Sequence, residues 1–495
     1  CTGLTSFPAI DTSSCTNFLS AWQGCTGLTS FPLIDTSSGT SIRNTWQGCT
    51  GLTSFPSIDT SNVTTPRDAW NGCTGLTSFA ALDLSSGTDF RGAWFGCSSL
   101  TSFPSITPTS GTDFGGAWMN CTSLTTYPAN QFDNTGTLVS AAFNTAFSNC
   151  ALTAQSIENI LTSLDTNGAS NIHLAMGGGT NANASTWTYD AVDAYVDLAN
   201  KGWTITQNGN VGLGYTISNS GTSFELQSFG TVDYKVDWGD GSAVETSTAN
   251  NLSHTYATAG TYKITINSNS GVYRPRFNNS GEEDQITSIV YAGTDSNAVG
   301  TSLQNAFFGA NNMTEYKQIN ASTTASVTSF QSCWRSCSGL TSFPQIDTSS
   351  GTSFSYAWEG CTGLTAFPVL DVSNATTVAS TWRGCNSITT FPSLDYSSAT
   401  NFSYAWFTCS SLANFPANQF DSTGTLTTFH NTFRDCALTA QSIENILTSL
   451  DTNGAQNITL AIQGGTNAAK TTWSTAANTA YTNLINKGWT ITYNS

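Results

Sequence analysis

Apolar residues recur along most of this chain at a 24-residue period, not at the spacing of a single helix or strand. In CTGLTSFPLIDTSSGTSIRNTWQG, residues 25–48, the apolar places are Cys25, Leu28, Phe31, Ile34 and Trp46, separated by Thr, Ser, Asn and Gly. The same set returns from Cys1, Cys49, Cys73, Cys97 and Cys121, and again from Cys337, Cys361, Cys385 and Cys409. A fixed period in the twenties predicts a solenoid of stacked units, none able to bury its apolar face alone. Within each unit LTSFP predicts a short strand, since the residue before a Pro is pushed towards extended backbone. IDTSSGT predicts a turn in which Asp35 and Ser37 bond their own backbone. SIRNTW predicts one helical or 3-10 turn leading to the next unit. Cys and Trp at fixed places predict two buried columns, with neighbours about 4.8 Å apart.

The pattern breaks down twice, in the same way. Cys150–Thr206 and Cys436–Thr492 are near-duplicates containing LTAQSIENILTSLDTNG, in which Ile157, Ile160, Leu161 and Leu164 have helical spacing. A strand, a GGTNA turn, a second amphipathic segment ending in Lys-Gly and a final WTIT strand follow. These are read as C-terminal caps over the last exposed core. Between the repeats, YKVDWGDGSA and GTYKITINS alternate apolar and polar residues at period two, which predicts a small antiparallel sandwich. Trp238, Gly239, Asp240 and Gly241, followed by His254, Tyr256, Gly260 and Tyr262, make this segment resemble the PKD type of immunoglobulin-like domain. Beyond it the repeat register returns, with Ile286 and Ile289 in the Leu and Phe places and two degenerate units before Cys337. The expected organisation is five segments. Residues 1–149 form six units, and 150–209 a cap. Residues 210–271 form the sandwich, 272–435 six further units and 436–495 a second cap. The degenerate opening of the second repeat reads as an N-terminal cap. The first repeat opens on a perfect unit, so its own cap, and a longer chain, are expected to precede Cys1.

IDTSNVTTPRDAWNGCTGLTSF and LDVSNATTVASTWRGCNSITTF resemble the BspA-like leucine-rich repeat of surface proteins, with Trp in place of the usual Phe and an added Pro. The KGWTIT caps look like those of phage and marine bacterial repeat proteins. The resemblance implies an α+β, strand-dominated fold: two leucine-rich-repeat-type solenoids with helix-containing C-terminal caps, joined by an all-β sandwich. It also implies display on a cell surface or virion, with adhesion or receptor binding as the role. Fold alone does not set function.

Composition narrows the partners. Charged residues are 9% of the chain, 31 acidic against 14 basic, for a net charge of −17. That balance argues against a nucleic-acid surface and against an anionic membrane. No apolar run approaches the ~18 residues of a membrane span. The recurring Cys are expected as buried free thiols. His173, His254 and His430 match no catalytic pattern, and no nucleophile elbow, phosphate loop or zinc pair occurs. The Asp column (Asp11, Asp35, Asp59, Asp83) offers oxygen ligands for Ca2+, or carboxylates for glycoside hydrolysis, although Asp before Thr-Ser at a turn ordinarily bonds backbone. No other cofactor is expected.

Recognition is expected where the units differ. Phe95, Met119 and Phe407 put apolar groups at the usually polar place after Trp. Arg335 and Arg383 occupy the same place. Three residues before Trp, Arg43, Arg67 and Arg91 form a row suited to carboxylated glycans, or to salt bridges with Asp68 and Asp89. The Thr-Ser pair of each LTSFP offers a hydroxyl ladder for an ordered surface. The expected protein is therefore an extracellular, non-enzymatic adhesion or recognition molecule, binding a cell-surface glycan or protein or associating with itself in a fibre. A structural spacer and a glycan-active enzyme are the alternatives.

Overall fold

Around each Trp, backbone N–H groups alternate between two destinations. Those of Asn44, Trp46 and Gly48 donate to carbonyls of Arg67, Ala69 and Asn71 in the next unit, at 2.7–3.1 Å. Those of Thr45, Gln47 and Cys49 close local turns on Ile42, Asn44 and Trp46. This alternation is why SIRNTW makes isolated i→i−3 turns, of the kind the sequence predicts, that do not join into a helix: half its donors are committed to the neighbour, and Asn44 adopts φ 56°. The computed structural model describes residues 2–219, 223–229, 233–268, 273–277, 281–291, 301–318 and 324–495. Cys1, residues 278–280 and residues 292–300, which carry parts of the expected repeat and linker, lie outside the described residues. The chain divides into two compact parts, Cys1–Val211 and Gly212–Ser495.

In the first part, successive 24-residue units lie in parallel register. Asn17, Ser41 and Thr65 bridge in sequence, as do Asp89 and Asp113. LTSFP yields only the two-residue strands β1 (Ser54–Phe55) and β2 (Ser78–Phe79), paired in parallel. A Pro follows β1 and contributes no N–H to extend the ladder. The core is columnar. Trp46, Trp70, Trp94 and Trp118 are fully buried and stack at 5.4–5.5 Å with planes within 8°. Each also meets the Phe of its own unit edge-on, Trp46 with Phe31 at 5.1 Å, and the Phe or Tyr of the following unit, Trp46 with Phe55 at 4.7 Å. Such aromatic pairs contribute ~0.5–1.5 kcal/mol beyond area burial. The Cys column lies beside them as free thiols, and from Cys49 to Cys121 each Sγ–H donates to the Trp carbonyl 27 residues earlier, Cys73 to Trp46 at 3.1 Å.

Residues 150–209, read as a cap, contain the helix and closing strands that their spacing predicts. In α1 (Ala154–Asn167) Thr153 caps the N-terminus by accepting from Ser156 N, and Gly168 at φ 78° ends the helix. β3 (His173–Ala175) pairs in parallel with β4 (Thr204–Thr206), which follows α2 (Tyr189–Asn200). Lys201 Nζ binds Asp165 at 2.7 Å and ties α2 to α1. Phe147 stacks on Trp118 at 4.9 Å, so the ring column continues into the cap with Phe in the Trp place.

The second part opens with a sandwich of β5 (Leu213–Asn219), β6 (Ser223–Gln227), β7 (Tyr234–Asp237), β8 (Glu245–Ser247), β9 (Asn251–Thr255) and β10 (Gly260–Ser268). β6 pairs with β9, while β5, β10, β7 and β8 share a sheet. Its motif residues interlock: His254 stacks on Trp238 at 4.8 Å and binds Asp240 at 2.8 Å, and Tyr256 Oη donates to Trp238 O. The sheet does not end at β5. β11 (Ile286–Tyr291) pairs antiparallel with β5, and β12 (Glu315–Gln318) pairs in parallel with β11, giving the order β12-β11-β5-β10-β7-β8. The opening units of the second repeat therefore extend the sandwich, and one apolar core runs from Leu213 to Ile491. Trp334, Trp358, Trp382 and Trp406 repeat the buried column. The second cap, α3 (Ala440–Asn453), β13 (Thr459–Ile462), α4 (Thr475–Asn486) and β14 (Thr490–Tyr493), repeats the first. The whole is mixed, with strand and bridge residues outnumbering helical ones among the described residues. No helix among them is long and apolar enough to cross a membrane.

Candidate recognition surface

Burial of each Trp turns the residues beside it outward, so the place after Trp forms a surface column. In the second part its occupants are Phe308, Arg335, Glu359, Arg383, Phe407 and Arg434, the first and last following Phe307 and Phe433. Glu359 stands between two arginines. Arg335 Nε is 2.7 Å from Glu359 Oε2 and Arg383 Nη1 is 3.4 Å from Oε1. The Glu359 side chain keeps 13% exposure, whereas Arg335, Arg383 and Arg434 keep 36%, 42% and 45%. Rings hold the guanidinium groups. Arg335 lies 5.0 Å from the Phe308 centroid and 5.3 Å from that of Tyr356. Arg383 lies 5.8 Å from Tyr404 and 5.3 Å from Phe407, and Arg434 lies 6.0 Å from Phe407. Each such contact contributes ~0.5–1 kcal/mol at an exposed site. Arg434 also meets Asp435 at 3.4 Å. Tyr404 packs edge-on against Phe407 and His430.

Tyr356 and Tyr404 violate a local rule. They sit two residues before Trp, at φ 61° and 57°. The equivalent places elsewhere hold Asn44, Asp68, Gly92, Ser332 or Ser380, also at positive φ. Left-handed backbone costs an ordinary L-residue ~1–2 kcal/mol and favours Gly, Asn and Asp. A large aromatic residue there, twice, adds surface contacts and no buried core: both tyrosines are only half-buried. Such strain marks function more often than stability.

In the first part, the structure brings four of the five sequence-predicted residues together. Arg67, Arg91, Phe95 and Met119 line an open concavity of about 490 Å³, together with Gly92 and Gly116. Arg43 lies outside this lining and is exposed. The arginines here are matched by carboxylates. Arg67 reaches Asp68 at 3.3 Å and Asp89 at 4.0 Å, and Arg91 reaches Asp89 at 2.6 Å and Asp113 at 3.5 Å. Burial opposes ionisation of Asp89, yet hydrogen bonds from the Arg91 side chain and backbone outweigh it and hold the carboxyl below its ordinary value. Two arginines against three aspartates leave this face with no surplus of positive charge.

The remaining candidates are placed as follows. Asp35 Oδ1 accepts from Ser37 N and Ser37 Oγ at 3.0 and 2.6 Å, and Asp11, Asp59, Asp347 and Asp371 repeat the arrangement. Those serine hydrogen bonds hold Asp11 and Asp35 below the usual carboxylate range. Among the described residues, no group of three or more His, Cys, Asp or Glu is placed to hold a metal ion. The Thr hydroxyls of the expected ladder donate along the stack, Thr77 Oγ1 to Thr53 O at 3.1 Å. The sequence-predicted Arg335, Arg383 and Phe407 lie on this face with Glu359 of the same column, whereas Phe308, Tyr356, Tyr404, His430 and Arg434 were not predicted. The signal was available: continuing the column past the Trp residues to Phe307 and Phe433 reaches Phe308 and Arg434.

Compared with known proteins, residues 203–274 match the family model of the PKD domain. PKD domains are common in extracellular, adhesion-type proteins. No curated protein and no solved structure matches the chain.

Proposed function

We propose that this chain is an extracellular, non-enzymatic recognition protein whose two repeats are BspA-like leucine-rich-repeat solenoids. The parallel bridges at 24-residue spacing and the continuous ring columns support the solenoid reading. The PKD match supports the extracellular setting. The chain belongs to a longer repetitive surface or phage fibre protein, and its partner is a cell-surface glycan or protein. The observation that carries the reading is the Arg–aromatic face from Phe308 to Arg434, where two tyrosines occupy strained backbone positions without adding buried core. Repetition lets many weak contacts add along one ligand.

The test is binding of the full chain to a glycan array and to intact bacterial cells. The triple variant Arg335→Ser, Tyr404→Ser, Arg383→Ser is the control. Ser already stands at the left-handed place in Ser332 and Ser380, so the fold tolerates it there. Binding by the wild type and loss in the variant is the expected result. No binding by the wild type would leave the structural spacer as the reading.

A further inference from the structure

The column after Trp is alternating, not merely varied. It reads Phe308, Arg335, Glu359, Arg383, Phe407, Arg434, with an arginine in every second unit. The left-handed column answers it out of phase, with Tyr356 and Tyr404 in the units between the arginines. Two independent columns thus share a period of two units, about 10 Å at the ~4.8 Å spacing of adjacent strands. An irregular protein partner would impose no such period. A linear polysaccharide would, because one disaccharide of an extended chain has about this length.

The chemistry of each position sets the sugar class. Arg335 and Arg383 have neighbours on several sides: Glu359 pairs with both, and the rings of Phe308, Tyr356, Tyr404 and Phe407 lie 5.0–5.8 Å from their guanidinium carbons. A planar guanidinium with remaining N–H donors pairs bidentately with a carboxylate. The aromatic faces suit the apolar C–H faces of pyranose rings. The local charge, three arginines with Glu359 and Asp435, is positive in a chain of net −17. We infer that this face binds a linear acidic polysaccharide that presents a carboxylate to one side once per disaccharide, as an extended polyuronate with alternating sugar orientation does. Arg335, Arg383 and Arg434 take successive carboxylates, and Tyr356 and Tyr404 stack on the sugars between them. The inference rests on the recognition reading above and names its ligand. The Arg67–Arg91 face, matched by Asp68, Asp89 and Asp113, is excluded as the site for this ligand.

The experiment is affinity electrophoresis of the full chain through gels containing an alginate or polygalacturonate, the same polymer with its carboxyls reduced to alcohols, or a sulfated galactan. The expected result is retardation by the polyuronate alone. It should weaken about tenfold or more in Arg335→Ser/Arg383→Ser, stay unchanged in Arg43→Ser, and weaken as salt rises. Circular dichroism of each variant confirms that it folds. Equal retardation by the carboxyl-reduced polymer, stronger retardation by the sulfated galactan, or indifference to the arginine changes would overturn the inference. Binding to cells that the triple variant loses, with no retardation by any polymer, would overturn the inference and leave the recognition reading standing. Absence of both would overturn both.

Discussion

The Trp column carries a sharp energetic expectation. The indole Nε1 atoms of Trp46, Trp70, Trp94, Trp118, Trp334, Trp358, Trp382 and Trp406 are buried with no hydrogen-bond partner among the described residues. Trp358 stacks on Trp334 at 5.2 Å and meets Phe367 edge-on at 4.9 Å. Replacing it by Phe removes roughly 40 Å² of apolar surface, worth about 1 kcal/mol at ~25 cal/mol per Å², and leaves a small void worth about 1 kcal/mol more. No acceptor is stranded, so Trp358→Phe should cost ~1–2 kcal/mol, against ~3–5 kcal/mol for Trp358→Ala. Trp489 is the matched control, because its Nε1 donates to Ala455 O at 2.7 Å. Trp489→Phe leaves that carbonyl without its donor, adding ~1–3 kcal/mol if it stays buried. Urea unfolding of the full chain followed by far-ultraviolet circular dichroism, with hydrogen exchange to assign the transition, measures both. Equal costs for Trp358→Phe and Trp489→Phe would refute the claim that the column holds its indoles by packing alone.

Three further outcomes are expected. Burial raises the thiols of Cys49 to about 11 and of Cys361 and Cys409 to about 12; an aromatic disulfide reagent at pH 8 should therefore label half-exposed Cys15 and spare these three until urea is added, as peptide mapping would show. Gly87→Ala places a Cβ 2.8 Å from the Phe90 ring, and overpacking of this kind costs ~1–3 kcal/mol, read as a lower urea midpoint. Asp240 is held down to about 2, chiefly by the Ser242 side chain and with help from the Ser242 N–H and His254. A folded pKa below the unfolded value of ~3.9 gives stability that is complete above pH 4 and lost as pH falls towards 2. Asp240→Asn should flatten thermal stability across that window; an unchanged slope would count against the pairing.

The columns were legible in the sequence because a 24-residue period maps directly onto stacked positions, and Cys, Leu, Phe and Trp all lie where the period put them. The caps were legible because Ile157, Ile160, Leu161 and Leu164 carry ordinary helical spacing. The backbone route past Trp was not, because sequence does not say that alternate N–H groups leave for the next unit. Tyr356 and Tyr404 escaped notice for the same reason: their strain is a φ value, and composition does not display φ. The arginine rows looked alike in sequence. The distances separate the first, two arginines matched by Asp68, Asp89 and Asp113, from the second, three arginines that share Glu359 and Asp435 and also lie against aromatic rings.

The antiparallel seam between β5 and β11 has a consequence for how this part of the chain can be divided or inherited. A break introduced near residue 272 would bare the edge of Ile286–Tyr291 on one fragment and Leu213–Asn219 on the other. Bare edges recruit foreign strands and aggregate. Recombination that shuffles the sandwich without the repeat, or the repeat without the sandwich, would therefore yield two sticky fragments. The smallest transferable cassette is residues 212–495, longer than either recognisable piece, and gene-level exchange among such proteins should respect that seam.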